Sequence, residues 1–384
     1  MTSVISRRLF GACAAAAVLA AGAAAAQDTI KIGVITDKTG TAKFYAEPVT
    51  EGSMLAAKII NAAGGVLGKK IELLIEDDQN KPDVSATVAR KLVDAGVVFI
   101  LSNTSTTATQ QQQTVSLETK TPQLTPSNSG ETLTTQIDNP YFFQTGPLFS
   151  YQINTLLAYT RAKQFKRVAL MTDNSELGQL VARSFKAGLE KAGVQVIVEE
   201  VVQRGATSAV PQMQKVRAAN PEAIFQAGVL GPEMVLFFRA YHQLGMKTPI
   251  LGSYNLSIPL YLTMAKDLMD GIVIVDAYDR EKPEVKAFEE QFQKEYGRPA
   301  FNLNAYGYDG VRLIADAIKR AGSLDKEKIR AAMQATKDFP ATIGAKGMKY
   351  TFPPGKRTGF DPEGVVVRLI ENNAHGRVVH AGQK

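Results

Sequence analysis

The sequence predicts an α/β protein built as two doubly wound parallel-sheet lobes in tandem. From residue 29 to about residue 130, short apolar runs rich in β-branched side chains alternate with segments of helical period. That βαβαβαβ order lays strands parallel and puts helices on both faces of a sheet. The same alternation restarts near Tyr141 and runs on to about residue 251. Each stretch is roughly 120 residues, the usual size of one domain. The 384 residues, 45% hydrophobic and 21% charged, are enough to bury two cores.

Residues 29–36 (TIKIGVIT) read as the first strand, residues 37–46 as a polar loop ending in Phe44-Tyr45, and residues 47–61 as a helix with Leu55, Ile59 and Ile60 on its apolar side. Residues 70–76 (KIELLIE) make the second strand, and a helix follows from Pro82, a good first-turn residue, to Asp94. The third strand opens at Val97 and empties into Ser102-Asn103-Thr104-Ser105-Thr106-Thr107, where a helix over 107–119 begins. At that junction the first N–H groups lack intrahelical partners and the helix dipole leaves partial positive charge. It reads as an ordinary N-cap or as an anion seat of N–H and hydroxyl groups at the sheet's C-terminal edge. The next strand, Gln123-Leu124-Thr125, ends in Pro126-Ser127-Asn128-Ser129-Gly130.

In the second unit residues 141–145 are extended, and helices are predicted over 150–163, 175–192, 208–219 and 232–244, the second closed by Gly193 and the last by Gly245. Strands fall at 167–172, 194–200, 223–226 and 249–251. After a strand at 272–275 come helices at 283–296, 304–320 and 325–335, expected to pack back on the first unit. Two tail strands, 365–371 and 377–380, flank the Asn372-Asn373 turn and are expected on the second. The chain then crosses between lobes three times. The domain plan is a signal peptide over 1–26, an N-terminal lobe of 27–145 with 277–354, and a C-terminal lobe of 146–276 with 355–384.

Several functions are disfavoured. The formal charge of +7 is spread out with no basic run longer than two residues, so nucleic acid is not an expected partner. Three scattered histidines and the single Cys13 leave no zinc constellation and no Cys–His pair, and no cofactor is expected. Gly64-Gly65-Val66-Leu67-Gly68-Lys69-Lys70 mimics a phosphate loop, but Ala63 stands where the first glycine belongs and Lys70 where Ser or Thr is needed. Asp77-Asp78, at a strand end before a helix, reads as a capping pair before it reads as a metal or acid–base pair. No GxSxG elbow or Ser–His–Asp set is present, and catalysis is unsupported.

Arg7-Arg8, an uncharged apolar stretch from Leu9 to Ala26 and the Ala24-Ala25-Ala26 site before Gln27 form an export signal. Ser6-Arg7-Arg8-Leu9-Phe10 also looks like a twin-arginine signal, and either route leads to the periplasm. Lipidation at Cys13 is not expected, because no apolar region precedes it. The mature chain then holds no cysteine, which suits an oxidising compartment without requiring disulfides. No other apolar run reaches membrane-spanning length.

Four segments carry a family resemblance: IKIGVITDKTGT at Ile30–Thr41, INAAGGVLGKKIELLIEDD at Ile60–Asp78, QLTPSNS at Gln123–Ser129, and the Tyr306-Gly307-Tyr308-Asp309-Gly310 helix. In their order and spacing, from about Lys31 to Val379, the chain resembles a periplasmic solute-binding protein of the leucine/isoleucine/valine type, serving an ABC importer. The resemblance implies a type I periplasmic binding fold: two α/β lobes, a hinge of three strands and a ligand held between. It implies ABC permease membrane subunits as partners, and a monomer suits that docking. It also places a carboxylate seat on the first lobe, with Ser105 and Thr106 after one strand and Ser127 and Ser129 after the next. Asn103 and Asn128 belong to the same two segments, and Tyr45 corresponds to a first-loop tyrosine of the family.

The other half of an amino-acid site is changed. Amino-acid-binding members hold the α-ammonium with acidic groups on the second lobe, where this chain has Phe149 and, in Gly252-Ser253-Tyr254, Tyr254; Leu177 replaces a tyrosine that wraps the ligand. A buried ammonium without a counter-charge is costly, which favours an ammonium-free carboxylate. The alternative is that Asp276 or Asp173 supplies the charge. With Phe44, Tyr45, Phe149, Tyr254 and Tyr278 facing the hydroxyls, the cleft suits an aromatic acid of benzoate or phenylpropenoate type. A branched-chain or related amino acid is the other reading. Core packing is an ordinary role for Phe149 and Tyr278, whereas Tyr254, in a turn at a strand's end, is expected to be harder to bury. The expected function is that of a non-enzymatic receptor closing on a small carboxylate by hinge motion.

Overall fold

The computed structural model describes residues 29–229 and 231–381. The signal peptide expected over 1–26, with Arg7, Arg8 and Cys13, lies outside them, as does the side chain of Leu177.

Five strands form the first sheet: β1 (Ile30–Thr36), β2 (Ile71–Asp77), β3 (Phe99–Asn103), β4 (Gln123–Thr125) and β5 (Phe142–Gln144). They run parallel in the order β2-β1-β3-β4-β5. Ile32, Val34, Phe99, Ile100 and Leu101 are shut off from solvent, as the continuous apolar runs of a sheet covered on both faces require. The second sheet repeats the plan with β6 (Arg167–Asp173), β7 (Gln195–Val202), β8 (Ala223–Gln226), β9 (Ile250–Gly252) and β10 (Val273–Asp276), parallel in the order β7-β6-β8-β9-β10. A small antiparallel pair, β11 (Phe339–Pro340) and β12 (Lys349–Tyr350), stands apart. The tail hairpin, β13 (Val366–Glu371) and β14 (Ala374–Ala381), adds antiparallel to the β10 edge. Its two-residue turn uses Asn372 and Asn373 at φ 54° and 55°, the left-handed backbone that a tight hairpin demands and asparagine tolerates.

The chain passes between the sheets after β5, after β10 and before β13. Between the last two passes, the helix Asn302–Ala321 lies on the helix Lys43–Ala62 of the first lobe. Two glycines let these backbones touch: a Cβ on Gly52 would run into the carbonyl of Asn304, and one on Gly307 into the carbonyl of Val49. Near the first and third passes, Gln144 N donates to Arg357 O and Gly359 N donates to Gln144 O, each at 2.9 Å.

One early helix begins sooner than the sequence predicts. Asp37 accepts hydrogen bonds from the N–H groups of Gly40 and Ala42, which curls the supposed loop into a helix from Lys43. Phe44 and Tyr45 therefore ride on its first turn. Pro48 inside it removes one hydrogen bond without stopping the helix, and its carbonyl accepts from Asn304 Nδ2 at 2.9 Å.

Candidate ligand-binding crevice

In both sheets the strand order reverses between the first and third strands, at β1/β3 and at β6/β8. Connections on either side of such a point leave in opposite directions, so the C-terminal strand ends open a crevice there. In the first lobe Thr36 and Asn103 end β1 and β3 side by side. Ser105 caps the helix Thr106–Glu118, its Oγ accepting from Ala108 N at 3.4 Å. The N–H groups of Thr106 and Thr107, in the first turn, have no intrahelical acceptor.

The loop after β4 folds over this helix start. Thr106 Oγ1 donates to Asn128 Oδ1 and Asn128 Nδ2 donates to Thr104 O, both at 3.1 Å. Gly130 permits the approach, since a Cβ there would stand 2.6 Å from Thr106 Oγ1. Ser129 Oγ accepts from Gln152 Nε2 at 3.0 Å, which leaves its own proton free to donate. Tyr45 donates its hydroxyl to Ser127 O at 2.9 Å, and burial pushes that phenol up to about 12, so it keeps its proton at neutral pH. The structure thus gathers Tyr45, Ser105, Thr106, Ser127, Asn128 and Ser129 at one corner. Asn103 is buried beside them at the end of β3.

On the second lobe Asp173 ends β6, accepts from Ser175 N at 2.9 Å and from the Ser175 hydroxyl, and has Arg204 3.9 Å away. It anchors the start of the helix Glu176–Lys191. Glu233, which sequence reasoning passed over, is buried at the start of the helix Pro232–Gln243 and accepts from Gly205 N.

Where the lobes meet, Asn302 is the joint. Its Nδ2 lies 3.5 Å from the Tyr254 hydroxyl, 2.8 Å from Ser257 Oγ and 2.9 Å from Asp276 Oδ1, reaching from a first-lobe helix to second-lobe groups. Asp276 Oδ2 in turn accepts from Arg368 Nη1 at 3.0 Å, with both side chains fully excluded from solvent. His375 is packed alongside, and burial together with the Arg368 charge lowers it to about 4. Burial raises the phenols of Tyr254 and Tyr306 well above their ordinary range.

Tyr254 departs from the expectation that its turn resists burial. The single 3₁₀ turn Tyr254–Ser257 carries its ring onto the first-lobe core, leaving it 8% exposed. Phe149 begins the helix Phe149–Ala162 and is half-buried on second-lobe apolar residues. Tyr278 is not drawn to the seat: it packs in the body of the first lobe and donates to Glu289 Oε1 at 3.0 Å. Phe44 is 41% exposed. Gln152, Asn302 and Arg368 were not singled out from sequence, although a lone arginine within the apolar run VVVRLI signals a buried counter-charge. A cavity of 960 Å³ lies by the third pass, lined by Tyr151, Lys346, Lys349 and Arg357 among others, and by none of the seat residues. Among the described residues no group of three or more His, Cys, Asp or Glu is placed to hold a metal ion, and no helix is long and apolar enough to cross a membrane.

Comparison with known proteins places this geometry. The periplasmic binding protein family matches residues 29–358. Leu/Ile/Val-binding protein homolog 3 of Brucella melitensis is 29% identical over 327 residues, 84% of this chain and 88% of that one. Among solved structures, the branched-chain amino acid transporter substrate-binding protein of Streptococcus pneumoniae, in complex with isoleucine, superposes with a TM-score of 0.79 at 23% identity, covering 92% of this chain and 100% of that one. A solute-binding protein of an ABC transporter from Rhodopseudomonas palustris, in complex with 3,4-dihydroxybenzoic acid, gives 0.76 at 23% identity, covering 93% and 98%. The structural likenesses establish the two-lobe type I periplasmic binding fold. The family match spans most of the chain, which therefore belongs to the periplasmic binding proteins, the non-enzymatic receptors that hold small-molecule ligands for ABC transporters.

Proposed function

We propose that this chain is an exported, monomeric periplasmic receptor that closes on an ammonium-free carboxylate, aromatic in character, and presents it to ABC permease subunits. Its lobes comprise 27–145 with 277–354 and 146–276 with 355–384. One observation carries the ligand class: Asp276, the buried carboxylate at the meeting of the lobes, is neutralised inside the protein by Arg368 at 3.0 Å. An α-ammonium brought there meets a charge already paired, and burying it without a partner is costly. Asp173 is likewise held by Ser175, with Arg204 nearby. The first-lobe corner offers the opposite chemistry, N–H and hydroxyl donors at a helix start that suit an anion. Tyr45, its hydroxyl on Ser127 O, stands close enough to Tyr254 to act on its phenol, and the Rhodopseudomonas palustris neighbour holds an aromatic carboxylate.

A branched-chain amino acid is the second reading. It is favoured by the Brucella melitensis relative and by Glu233, whose Oε2 is buried without a hydrogen-bond partner. A thermal-shift screen separates them, because a ligand that binds the folded state raises its melting temperature by mass action. Benzoates, cinnamates or short aliphatic acids should stabilise the protein. Strong stabilisation by leucine or valine with none by those acids defeats the carboxylate reading and leaves the receptor standing.

A further inference from the structure

The helix Thr106–Glu118 buries a polar stripe where a helix ordinarily buries an apolar one. Thr109, Gln112, Gln113 and Ser116 stand at i, i+3, i+4 and i+7, and all four are shut off from solvent. Directional bonds therefore fix this helix on its lobe, with Gln112 as their hub. Its Oε1 accepts from Gln123 Nε2 at 3.0 Å and from the Ser102 hydroxyl, and its Nε2 donates to Ser85 Oγ at 2.6 Å and to Thr104 Oγ1 at 3.1 Å. Every valence of that amide is filled. Ser85 passes its own proton on to Asp78 Oδ2 at 2.7 Å, and Asp78 is fully buried.

Asn80 closes these bonds into a ring. Asp78 Oδ1 accepts from Asn80 N at 2.9 Å, and Asn80 Oδ1 accepts from Ser105 N at 3.0 Å, at the head of the same helix. Gln79 and Asn80 hold left-handed backbone to do so, φ 54° and 56°, a conformation that asparagine tolerates better than most residues. In a capping box, a Glu or Gln side chain at the third helical position takes the N–H of the capping residue. Here that position is Ala108, which has no side-chain acceptor, and Asn80 supplies one from 25 residues away. With the helix start held in this way, the Ser105 hydroxyl, 3.4 Å from Ala108 N, and the N–H groups of Thr106 and Thr107 are left for an anion.

We propose that Asn80 is a positioning residue of the proposed carboxylate seat: it fixes the Ser105 backbone, so that the donors are in place before a ligand arrives. This rests on the placement of the seat at Ser105 and Thr106, whichever carboxylate fills it. Donors already ordered need no ordering on binding, so losing the anchor weakens a ligand that Asn80 itself does not touch. The test sets Asn80→Gly, which keeps the left-handed turn and removes only the side chain, against Gln79→Gly, which does the same at an exposed residue bonded to Lys81. In the free protein, amide exchange over residues 105–108 should quicken about tenfold in Asn80→Gly, keep the wild-type rate in Gln79→Gly, and return toward it in Asn80→Asp, which retains an acceptor oxygen. Titrated with benzoate and with leucine, the acid that binds the wild type should bind about tenfold more weakly to Asn80→Gly and equally well to Gln79→Gly. Exchange unchanged in Asn80→Gly overturns the inference whichever acid binds, and an equal loss of affinity in the two glycine variants overturns it as a loosened turn. Binding weakened by Ser105→Ala and untouched by Asn80→Gly overturns the inference alone. Binding that both of those substitutions leave intact overturns the placement of the seat, and the inference with it.

Discussion

Arg368 Nη1 lies 3.0 Å from Asp276 Oδ2, and neither side chain is reached by solvent. The arginine comes from the tail hairpin, the aspartate from the end of the last parallel strand, and Arg368 Nη2 donates to Gly376 O at 2.8 Å. Removing one partner strands a buried charge, whereas replacing both leaves none. Arg368→Met should therefore cost on the order of 3 kcal/mol, and Arg368→Met with Asp276→Asn should recover most of it. Denaturant titration of the three proteins checks this; a double variant no more stable than the single one refutes the pairing.

His375 makes the same cluster sensitive to acid. Burial first, then the Arg368 cation, hold it at about 4 against an ordinary 6.5, with Asp276 and a hydrogen bond donated to the Ser257 backbone carbonyl opposing and Arg280 adding slightly. The unfolded chain takes up the proton before the folded one does. This contribution to stability is intact above pH 6.5 and is lost as the pH falls toward 4. The full loss is on the order of 3 kcal/mol. Unfolding free energy measured from pH 7 to 4 should fall accordingly, and His375→Gln should remove that part of the slope.

The contact between the helices Lys43–Ala62 and Asn302–Ala321 is equally exposed to test. Gly52 and Gly307 face carbonyl oxygens with no room for a methyl group. A backbone cannot swing aside as a flexible side chain does, so the helices themselves must part. Gly307→Ala should cost about 1–3 kcal/mol or more, despite the better helix propensity of alanine. A melting temperature equal to the wild type's would contradict the close approach.

The strands of both lobes are legible in the sequence because each is a short β-branched run between polar turns, and their alternation with helices dictates parallel sheets. The convergence of Ser105, Thr106, Ser127 and Ser129 was legible for the same reason, since neighbouring parallel strands discharge into one crevice. What eluded sequence reading depends on distant partners. Tyr254 is buried by a first-lobe helix some fifty residues on, and Tyr278 is drawn inward by Glu289. The early start of the first helix turned on Asp37 capping its own loop, a local signal hidden by Pro48.

The proposed carboxylate seat yields the last prediction. The Ser105 Oγ contact to Ala108 N is long at 3.4 Å, so it contributes little as a helix cap, and Ser105→Ala should barely move the melting temperature of the free protein. Its role toward an anion is different, because a buried carboxylate that loses a donor has nothing to replace it. With benzoate as probe, Ser105→Ala should weaken binding by about 1–3 kcal/mol, and Ser127→Ala should weaken it further. Titration of the single and double variants gives the answer. If affinity survives both substitutions, the anion sits away from this corner, and the 960 Å³ cavity beside Lys346, Lys349 and Arg357 becomes the place to look.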